Sequence, residues 1–297
     1  MLKWSSGSVM VSRCRVCGAR GEMVLELSAT HVTEPDTDVK FVRCPDCASL
    51  SNVDEIVDFE HIEDGSVDTF LRQYLESTAG LWEMFWPPAS LRDRASKSFL
   101  DVGCGFGFTA DAWRTVVNPE AYGCDPAPYA SAGRRLLGPH IFQALLDDVE
   151  ALHGRRFDVV YSSEVIEHVP DPAAFVRLLV SRLTDSGTLV LTTPAADFVQ
   201  PQSDAATTEA ALAAGYHAFL FSRTALEKLL RANGLQHVVV ERHNERLIAW
   251  ASDVEIDRVA SDTLVPLYLR YIVEASKRAA GHSRTPANQR HILYHVC

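Results

Sequence analysis

The sequence lacks any apolar run approaching the roughly 20 residues that a membrane-spanning helix needs. It also lacks an excess of positive charge, because 28 Lys and Arg residues face 39 Asp and Glu residues and the formal net charge is −11. A protein that binds RNA or DNA through its phosphates carries a basic surface, whereas the basic clusters here are short. We therefore expect neither a membrane span nor a nucleic acid partner.

A secretory signal is also missing from the first residues. Residues 1–11 have neither a long apolar core nor a cleavage site, so we expect a cytoplasmic, reducing location. The 7 cysteines are then expected as thiols or metal ligands rather than as a disulfide framework. With 297 residues and 47% hydrophobic content, the chain can form a large soluble core plus one small module.

The most informative stretch is FLDVGCGFG, from Phe99 to Gly107. It predicts a buried strand that ends near Asp101, a tight turn, and a helix that begins at Phe108. The turn glycines are Gly103, Gly105 and Gly107. Glycine permits positive φ and close approach of a ligand to the backbone, and a strand, a glycine turn and a helix N-terminus together make a nucleotide-type site. The third glycine comes one residue earlier than in the dinucleotide pattern G-x-G-x-x-G.

This run resembles motif I of the class I S-adenosylmethionine-dependent methyltransferases, D/E-x-G-x-G-x-G. The resemblance implies an α/β fold with a doubly wound, Rossmann-like seven-stranded sheet, and a loop whose backbone contacts the methionine part of the cofactor. It also implies an acidic residue after the next strand, which binds the ribose hydroxyls. Asp125 in AYGCDP matches that position. A carboxylate suits a vicinal diol because it accepts two hydrogen bonds; the alternative is a turn residue before Pro126.

Two later stretches fit the same family. A third strand is predicted over Ile141–Leu146, and relatives read the adenine with the residues that match Asp148 and Val149. The run FDVVYSSEVIEHV, residues 157–169, resembles the ubiquinone- and menaquinone-biosynthesis-like branch. Within it, we expect Glu164 to brace the cofactor or its loop. Pro172 is expected to begin a helix, since proline is favoured at the first helical position.

The rest of the core is predicted by alternation of strands and helices. We expect a fifth strand over Thr188–Pro194 after a turn at Asp185–Gly187, and a helix from Arg223 to Ala232 capped by Ser222. A sixth strand is expected over Leu235–Glu241. Residues 246–251 and 291–296 are both candidates for the last antiparallel pairing. A helical insertion at about 253–285 is expected to cover a sheet edge or to form a homodimer contact.

The second strong pattern is a pair of Cys-x-x-Cys motifs separated by 26 residues. The four thiols are Cys14, Cys17, Cys44 and Cys47. Four thiolates in two knuckles suit tetrahedral zinc, and the β-like segments between them predict a zinc ribbon. Disulfide or redox use of the pairs is the alternative. A zinc held by four cysteines has no open coordination position, so we expect a structural metal. Several sugar and natural-product methyltransferases carry a similar N-terminal module.

These patterns predict three domains: a zinc ribbon at 1–57, a helical linker or cap at 58–96, and a methyltransferase domain at 97–297. The linker holds an amphipathic helix near residues 70–75 and the aromatic residues Trp82, Phe85 and Trp86. These rings either pack the linker onto the rest of the protein or form one wall of an acceptor pocket. In relatives, a tyrosine such as Tyr74 can touch the cofactor.

The resemblance implies methyl transfer from S-adenosylmethionine. We expect a small-molecule biosynthetic acceptor, of a sugar-containing or natural-product type, with oxygen favoured as the methylated atom. A hydroxyl acceptor benefits from a general base, and histidine is the natural choice. The candidates are His217, which lies in a GYHAFLFS run like the branch's H-x-x-x-F-S segment, and His168. The alternatives are an RNA methyltransferase that docks through its ribbon and a non-catalytic, cofactor-binding scaffold.

Overall fold

The computed structural model describes residues 2–5, 9–34, 36–53 and 80–281. The strands in these ranges are β1 (Lys3–Trp4), β2 (Val9–Arg13), β3 (Arg20–Thr30), β4 (Asp38–Arg43), β5 (Leu50–Asn52), β6 (Phe99–Val102), β7 (Ala121–Asp125), β8 (Ile141–Gln143), β9 (Phe157–Ser163), β10 (Leu183–Pro194), β11 (Phe219–Leu220), β12 (His237–His243) and β13 (Arg246–Ser252). The α-helices are α1 (Leu81–Ala89), α2 (Phe108–Val116), α3 (Pro128–Leu137), α4 (Pro172–Ser181), α5 (Ala205–Leu212), α6 (Arg223–Ala232) and α7 (Val265–Gly281).

Three sequence predictions concern residues outside these ranges: the helix near 70–75, the Tyr74 contact and the strand at 291–296. Among the helices that are described, none combines the length and the apolar character needed to cross a membrane.

The larger sheet has seven strands in the order β12–β13–β10–β9–β6–β7–β8. Strand β6 pairs in parallel with both β7 and β9, and β7 pairs in parallel with β8. Chain order thus reverses at β6, which is the property of a doubly wound sheet. The predicted seven-stranded α/β fold is confirmed. The late strand that pairs antiparallel with β12 is β13, with His237 opposite Ser252.

Several predicted element bounds differ from the structure; the sixth strand, for example, spans His237–His243 rather than Leu235–Glu241. The third strand ends at Gln143 rather than Leu146, because the chain enters a 3-10 turn over Leu146–Asp148, in which Asp148 N donates to Leu145 O at 2.9 Å. The predicted turn at 185–187 lies inside β10, which runs unbroken through it. The exposed Asp185 side chain lies 2.9 Å from Arg156.

The contacts of the chain divide it into two compact units. The first unit is drawn from residues 1–57, 162–181 and 189–254, and the second from residues 58–161, 182–188 and 255–297.

The first unit contains a second sheet, with strands in the order β1–β3–β4–β5–β11 and β2 paired to β3. The predicted hairpin between the two Cys-x-x-Cys motifs is formed by β3 and β4, which pair antiparallel. The fifth strand of the order, β11, comes from the segment that precedes α6. Side chains of the ribbon, including Phe41 and Leu50, share one buried core with side chains of that segment, including Leu212 and Leu220.

In the second unit, α7 is fastened to α2 by a buried carboxylate. Asp111 on α2 is 1% exposed, and it accepts hydrogen bonds from the Tyr271 hydroxyl at 2.9 Å and from Arg278 Nη2 at 2.6 Å. The rings of Trp82 and Phe85 on α1 lie 5.3 and 5.9 Å from the ring of Tyr268 on α7. These ring contacts favour packing over a pocket wall as the role of Trp82 and Phe85.

The packing of α3 against the glycine loop can be tested at Gly133, which lies on α3. Glycine normally weakens a helix, so Gly→Ala at an ordinary helical position adds about 1 kcal/mol of stability. A Cβ at Gly133 would instead lie 2.0 Å from the backbone oxygen of Phe106, in the loop before α2. We expect Gly133→Ala to lower the free energy of unfolding by about 1–3 kcal/mol, the scale of overpacking, as measured by chemical denaturation.

The matched control is Ala132→Gly in the same helix. It loses about 1 kcal/mol through helix propensity alone. A stabilised Gly133→Ala variant would contradict the close approach of α3 to the glycine loop.

Candidate functional site

The glycine loop of the second unit has the backbone that its sequence predicts. Gly103, Gly105 and Gly107 all have positive φ, at 75°, 57° and 85°. Gly107 is the residue that precedes α2. A Cβ at Gly107 would meet the Ile141 side chain at 2.4 Å, so both its conformation and its surroundings require glycine.

Two carboxylates end the strands beside this loop. Asp101 near the end of β6 is 3% exposed, and Asp125 at the end of β7 is 7% exposed. Asp125 is held by the backbone, because Gly105 N donates to Oδ2 at 3.0 Å and Ala127 N donates to Oδ1 at 2.8 Å. The structure thus brings Asp125 directly onto the glycine loop, 20 residues away in sequence.

Burial sets the electrostatics of this carboxylate pair. It raises the pKa of Asp125 to about 6, against the opposing effect of the two backbone amides. The pKa of Asp101 is raised well above its ordinary value, first by burial and then by the negative charge of Asp125. The pair therefore favours a ligand that donates hydrogen bonds or carries positive charge.

The candidate adenine residues lie after β8, in the same unit. Asp148 ends a 3-10 turn, where its backbone N donates to Leu145 O at 2.9 Å, and its side chain is exposed. Val149 follows and is buried. The adjacent Asp147 pairs with Arg182 at 2.6 Å, which fixes the turn from its other side.

The first unit gathers a buried polar group that we call the histidine cluster: Glu167, His168 and His217. One ligand atom from each of these side chains lies within 4.8 Å of the others. The two imidazole centroids are 4.7 Å apart. The sequence predicted both histidines but not Glu167, although the E-H pair in SSEVIEHV was a usable indication.

Backbone carbonyls orient both imidazoles. His168 Nδ1 lies 2.9 Å from Tyr216 O, and His217 Nδ1 lies 2.9 Å from Ala211 O. A carbonyl only accepts, so Nδ1 carries the proton in both rings and Nε2 carries the lone pair of the neutral form. Each histidine therefore presents a proton-accepting nitrogen.

Burial keeps these histidines neutral. It lowers the pKa of His168 to about 4 and that of His217 well below its ordinary value, with His168 adding to the effect on His217. Glu167 is fully buried, and burial raises its pKa well above the usual range. Its Oε2 accepts from Thr193 Oγ1 at 2.9 Å, while its Oε1 has no hydrogen-bond partner among the described residues.

Glu164 lies on the loop that leads into this cluster. It adopts the left-handed conformation with φ of 54°, which a non-glycine residue rarely adopts. Its carboxylate accepts from Thr192 Oγ1 at 2.9 Å and lies 3.7 Å from Arg246 Nε. These contacts hold the Glu164 side chain against β10 and β13.

The four ribbon cysteines come together in the first unit, with all four sulfurs within 4.8 Å of one another. Cys14 Sγ and Cys47 Sγ are 3.7 Å apart, as are Cys17 Sγ and Cys44 Sγ. Four thiolates at about 2.3 Å from one tetrahedral zinc are about 3.8 Å from each other. The donor set and its spacing therefore fit zinc.

The two knuckles repeat the same backbone pattern. Cys14 N donates to Ala19 O at 2.8 Å, and Cys44 N donates to Ser49 O at 3.0 Å. The turn residues Gly18 and Ala48 both have positive φ. Among the thiols, the Cys47 side chain donates to Cys14 and lowers the pKa of Cys14 to about 5. Burial raises the pKa of Cys17 to about 11, and the hydrogen bond with Cys14 together with burial raises the pKa of Cys47.

Comparison with known proteins agrees with this geometry. A family model described as a methyltransferase domain, Methyltransf_23, matches residues 74–240, which is more than half of the chain. The chain is 36% identical over 110 residues to the ubiquinone biosynthesis O-methyltransferase of Psychrobacter arcticus, covering 33% of this chain and 41% of that protein. It is 32% identical over 111 residues to the enzyme of the same description from Rhodopseudomonas palustris, covering 36% of this chain and 43% of that protein. The chain thus spans less than half the length of these curated relatives.

Two solved structures share the fold. An O-methyltransferase family protein from Burkholderia thailandensis aligns with a TM-score of 0.51 at 17% identity, over 65% of this chain and 61% of that chain. The plantazolicin methyltransferase BpumL, solved in complex with SAH, aligns with a TM-score of 0.50 at 14% identity, over 68% of this chain and 92% of that chain.

The family match covers the glycine loop, Asp125, the E-V-I-E-H run and the His217 segment in one continuous stretch. The chain therefore belongs to the methyltransferase domain family, and its recognition as a class I S-adenosylmethionine-dependent methyltransferase is confirmed.

Proposed function

We propose that this protein transfers a methyl group from S-adenosylmethionine to a small-molecule biosynthetic intermediate, with oxygen favoured as the acceptor atom. The observation that carries the proposal is the buried carboxylate pair of Asp101 and Asp125 against a glycine loop of positive φ. That pair suits a ligand with a ribose diol and a cationic centre. When bound, the cofactor supplies an already activated methyl group.

The cofactor is proposed to bind along the loop of the second unit. Asp125 accepts the ribose hydroxyls, because each of its oxygens has a second lone pair beside the one used by Gly105 N or Ala127 N. Asp101 and the backbone of Gly103, Gly105 and Gly107 hold the methionine part. Asp148 and Val149 hold the adenine, and Glu164 braces the loop that follows β9.

The proton of a hydroxyl acceptor is proposed to pass to the histidine cluster. Nε2 is the unprotonated nitrogen of both His217 and His168, because the Nδ1–H group of each ring donates to a backbone carbonyl. Their lowered pKa values keep them neutral at physiological pH. We prefer His217 as the base, since His168 also fastens the loop to Tyr216. Methyl transfer itself needs mainly proximity and orientation from the protein.

The acceptor class rests on charge and on the relatives. The net charge of −11 disfavours a polyanionic acceptor such as RNA. The curated relatives are described as O-methyltransferases of ubiquinone biosynthesis. A sugar-containing or natural-product intermediate with a free hydroxyl fits both observations. Cys14, Cys17, Cys44 and Cys47 are proposed to hold one structural zinc.

One labelling experiment tests the proposal against its alternatives. The protein is incubated with methyl-labelled S-adenosylmethionine and a metabolite extract, with and without nuclease treatment. We expect the label in small molecules, and we expect it to resist nuclease treatment. Nuclease-sensitive label would indicate an RNA methyltransferase, and no label would indicate a cofactor-binding scaffold.

The cofactor site predicts a pH-dependent affinity. Asp125→Ala is expected to weaken binding of S-adenosylhomocysteine by about 1–3 kcal/mol, because charge-assisted hydrogen bonds are lost. In the unaltered protein the carboxylate is protonated as pH falls through about 6, so affinity should fall over that range. In Asp125→Asn this dependence should disappear. Isothermal titration calorimetry from pH 5 to 8 measures both effects.

The control is Asp185→Ala, which removes an exposed carboxylate that pairs with Arg156. Its affinity should match that of the unaltered protein. If Asp125→Ala bound S-adenosylhomocysteine with unchanged affinity, the assignment of Asp125 to the ribose would be wrong.

The histidine cluster predicts a separate kinetic effect. If His217 is the base, His217→Ala should lower the methyl-transfer rate about 10²- to 10⁴-fold and leave cofactor affinity intact. Because burial lowers its pKa, the acidic limb of the pH–rate profile should lie below the ordinary histidine value of about 6.5. That limb should vanish in the variant that lacks the base.

His168→Ala is the companion variant, and it should perturb the loop at Tyr216 as well as any proton transfer. Near-full rates in both variants would exclude a histidine base. Transfer would then depend on proximity alone or on a carboxylate such as Glu164.

A further inference from the structure

The segment between β10 and α6, residues 195–222, connects the ribbon to the histidine cluster. We call it the bridging segment. It includes the 3-10 turn Ala196–Phe198, α5, His217 and β11. All of its contacts described below lie within the first unit.

The second cysteine knuckle holds the end of the bridging segment. Ser222 Oγ donates to Cys47 O at 2.5 Å, and Ser222 N donates to Ser49 Oγ at 3.0 Å. Ser222 is also the N-cap of α6, where its Oγ accepts from Ala225 N at 3.1 Å. The start of α6 is therefore attached to a zinc knuckle.

Asn52 holds the bridging segment at His217 itself. Asn52 is 1% exposed, its Nδ2 donates to His217 O at 3.3 Å, and its backbone N donates to Ala218 O at 2.9 Å. The next residues continue the attachment as a strand pair, with Phe219 opposite Ser51 and Leu220 opposite Leu50. Asn52 lies five residues after Cys47, the last of the four ribbon cysteines.

Two further ribbon elements hold the rest of the segment. Val32 N donates to Ala214 O at 3.0 Å, and the His31 ring lies so close to Gly215 that a Cβ there would be 2.0 Å from it. Arg43 donates to Val199 O at 2.9 Å and is paired with Glu26.

The opposite side of the segment holds the histidine cluster. His168 Nδ1 bonds to Tyr216 O, and Ala218 N donates to Glu167 O at 2.8 Å. Residues 216–218 thus contact Asn52 on one side and both Glu167 and His168 on the other. A shift of the ribbon cannot leave these three residues in place unless several buried hydrogen bonds break.

We propose that the metal-loaded ribbon positions the histidine cluster, with Asn52 as the positioning residue that transmits the fold of the second knuckle to His217. The role of His217 in this statement rests on the proposed function. Small cysteine sites couple metal binding to folding, and loss of the metal would release Cys47 and Ser49. The attachment of Ser222 and the β5–β11 pair would loosen with them.

Amide hydrogen exchange tests the proposal without an acceptor. The metal content of the purified protein is measured first, and one zinc per chain is expected. After removal of zinc with a chelator, exchange at residues 216–222 should become at least about tenfold faster, the effect of one net hydrogen bond lost. Exchange at residues 99–116 and the affinity for S-adenosylhomocysteine should stay within about twofold.

Asn52 variants separate positioning from general stability. Asn52→Ala should speed exchange at Ala218 about tenfold and raise the NMR titration midpoint of His217 toward the ordinary value of about 6.5 as water gains access. The matched control is Ser51→Ala on the same strand, because the buried Ser51 hydroxyl has no hydrogen-bond partner in the described structure. Ser51→Ala should leave both readouts unchanged.

The experiments distinguish a failure of this inference from a failure of the proposed function. Unchanged exchange at 216–222 after zinc removal, or a protein that holds no zinc and is fully protected there, overturns the inference. Equally fast exchange in residues 99–116 overturns it too, because the effect would then be global. If His217→Ala transfers methyl groups at full rate but the exchange results hold, the base assignment fails and the positioning by the ribbon stands.

Discussion

The bridging segment is hydrogen-bonded on two sides, and the arrangement of the first unit depends on this double attachment. On one side, Asn52 and the Cys47 carbonyl bind the backbone and the cap residue of the segment. On the other side, Glu167 and His168 bind residues 216 and 218. Buried backbone groups must be paired, so the ribbon and the cluster cannot be arranged independently of one another.

The two units supply different parts of the proposed chemistry. In the second unit, buried Asp125 is held by two backbone amides before any ligand arrives, which favours a preorganised cofactor site. In the first unit, burial keeps two histidines neutral and two carbonyls fix their tautomers. In our proposal, the ribbon makes the second arrangement dependent on a zinc ion, although a site closed by four cysteines has no open position for catalysis.

Local sequence patterns predicted the features that depend on neighbouring residues. Turn geometry, helix capping and ligand spacing each depend on residues that are close together in sequence. The sequence therefore predicted the glycine loop, Asp125, the Ser222 cap and the four cysteines. The pairing of β5 with β11 joins residues 50 and 220 through two short strands, and neither strand has a periodicity long enough to detect. Asn52 was missed for the same reason, since its contact with His217 arises only beside that long-range strand pair. Glu167 was missed although the neighbouring His168 had been predicted. The turn expected at 185–187 was wrong, because β10 continues through these polar residues.

The most direct test of the whole account is methyl transfer measured against zinc occupancy. Zinc is titrated back into the metal-free protein, and the single-turnover rate of label transfer and the cofactor affinity are followed at each step. The account predicts that the rate rises in proportion to bound zinc and saturates at one zinc per chain, while cofactor affinity stays constant. A metal-free protein that transfers methyl groups at the full rate would contradict it.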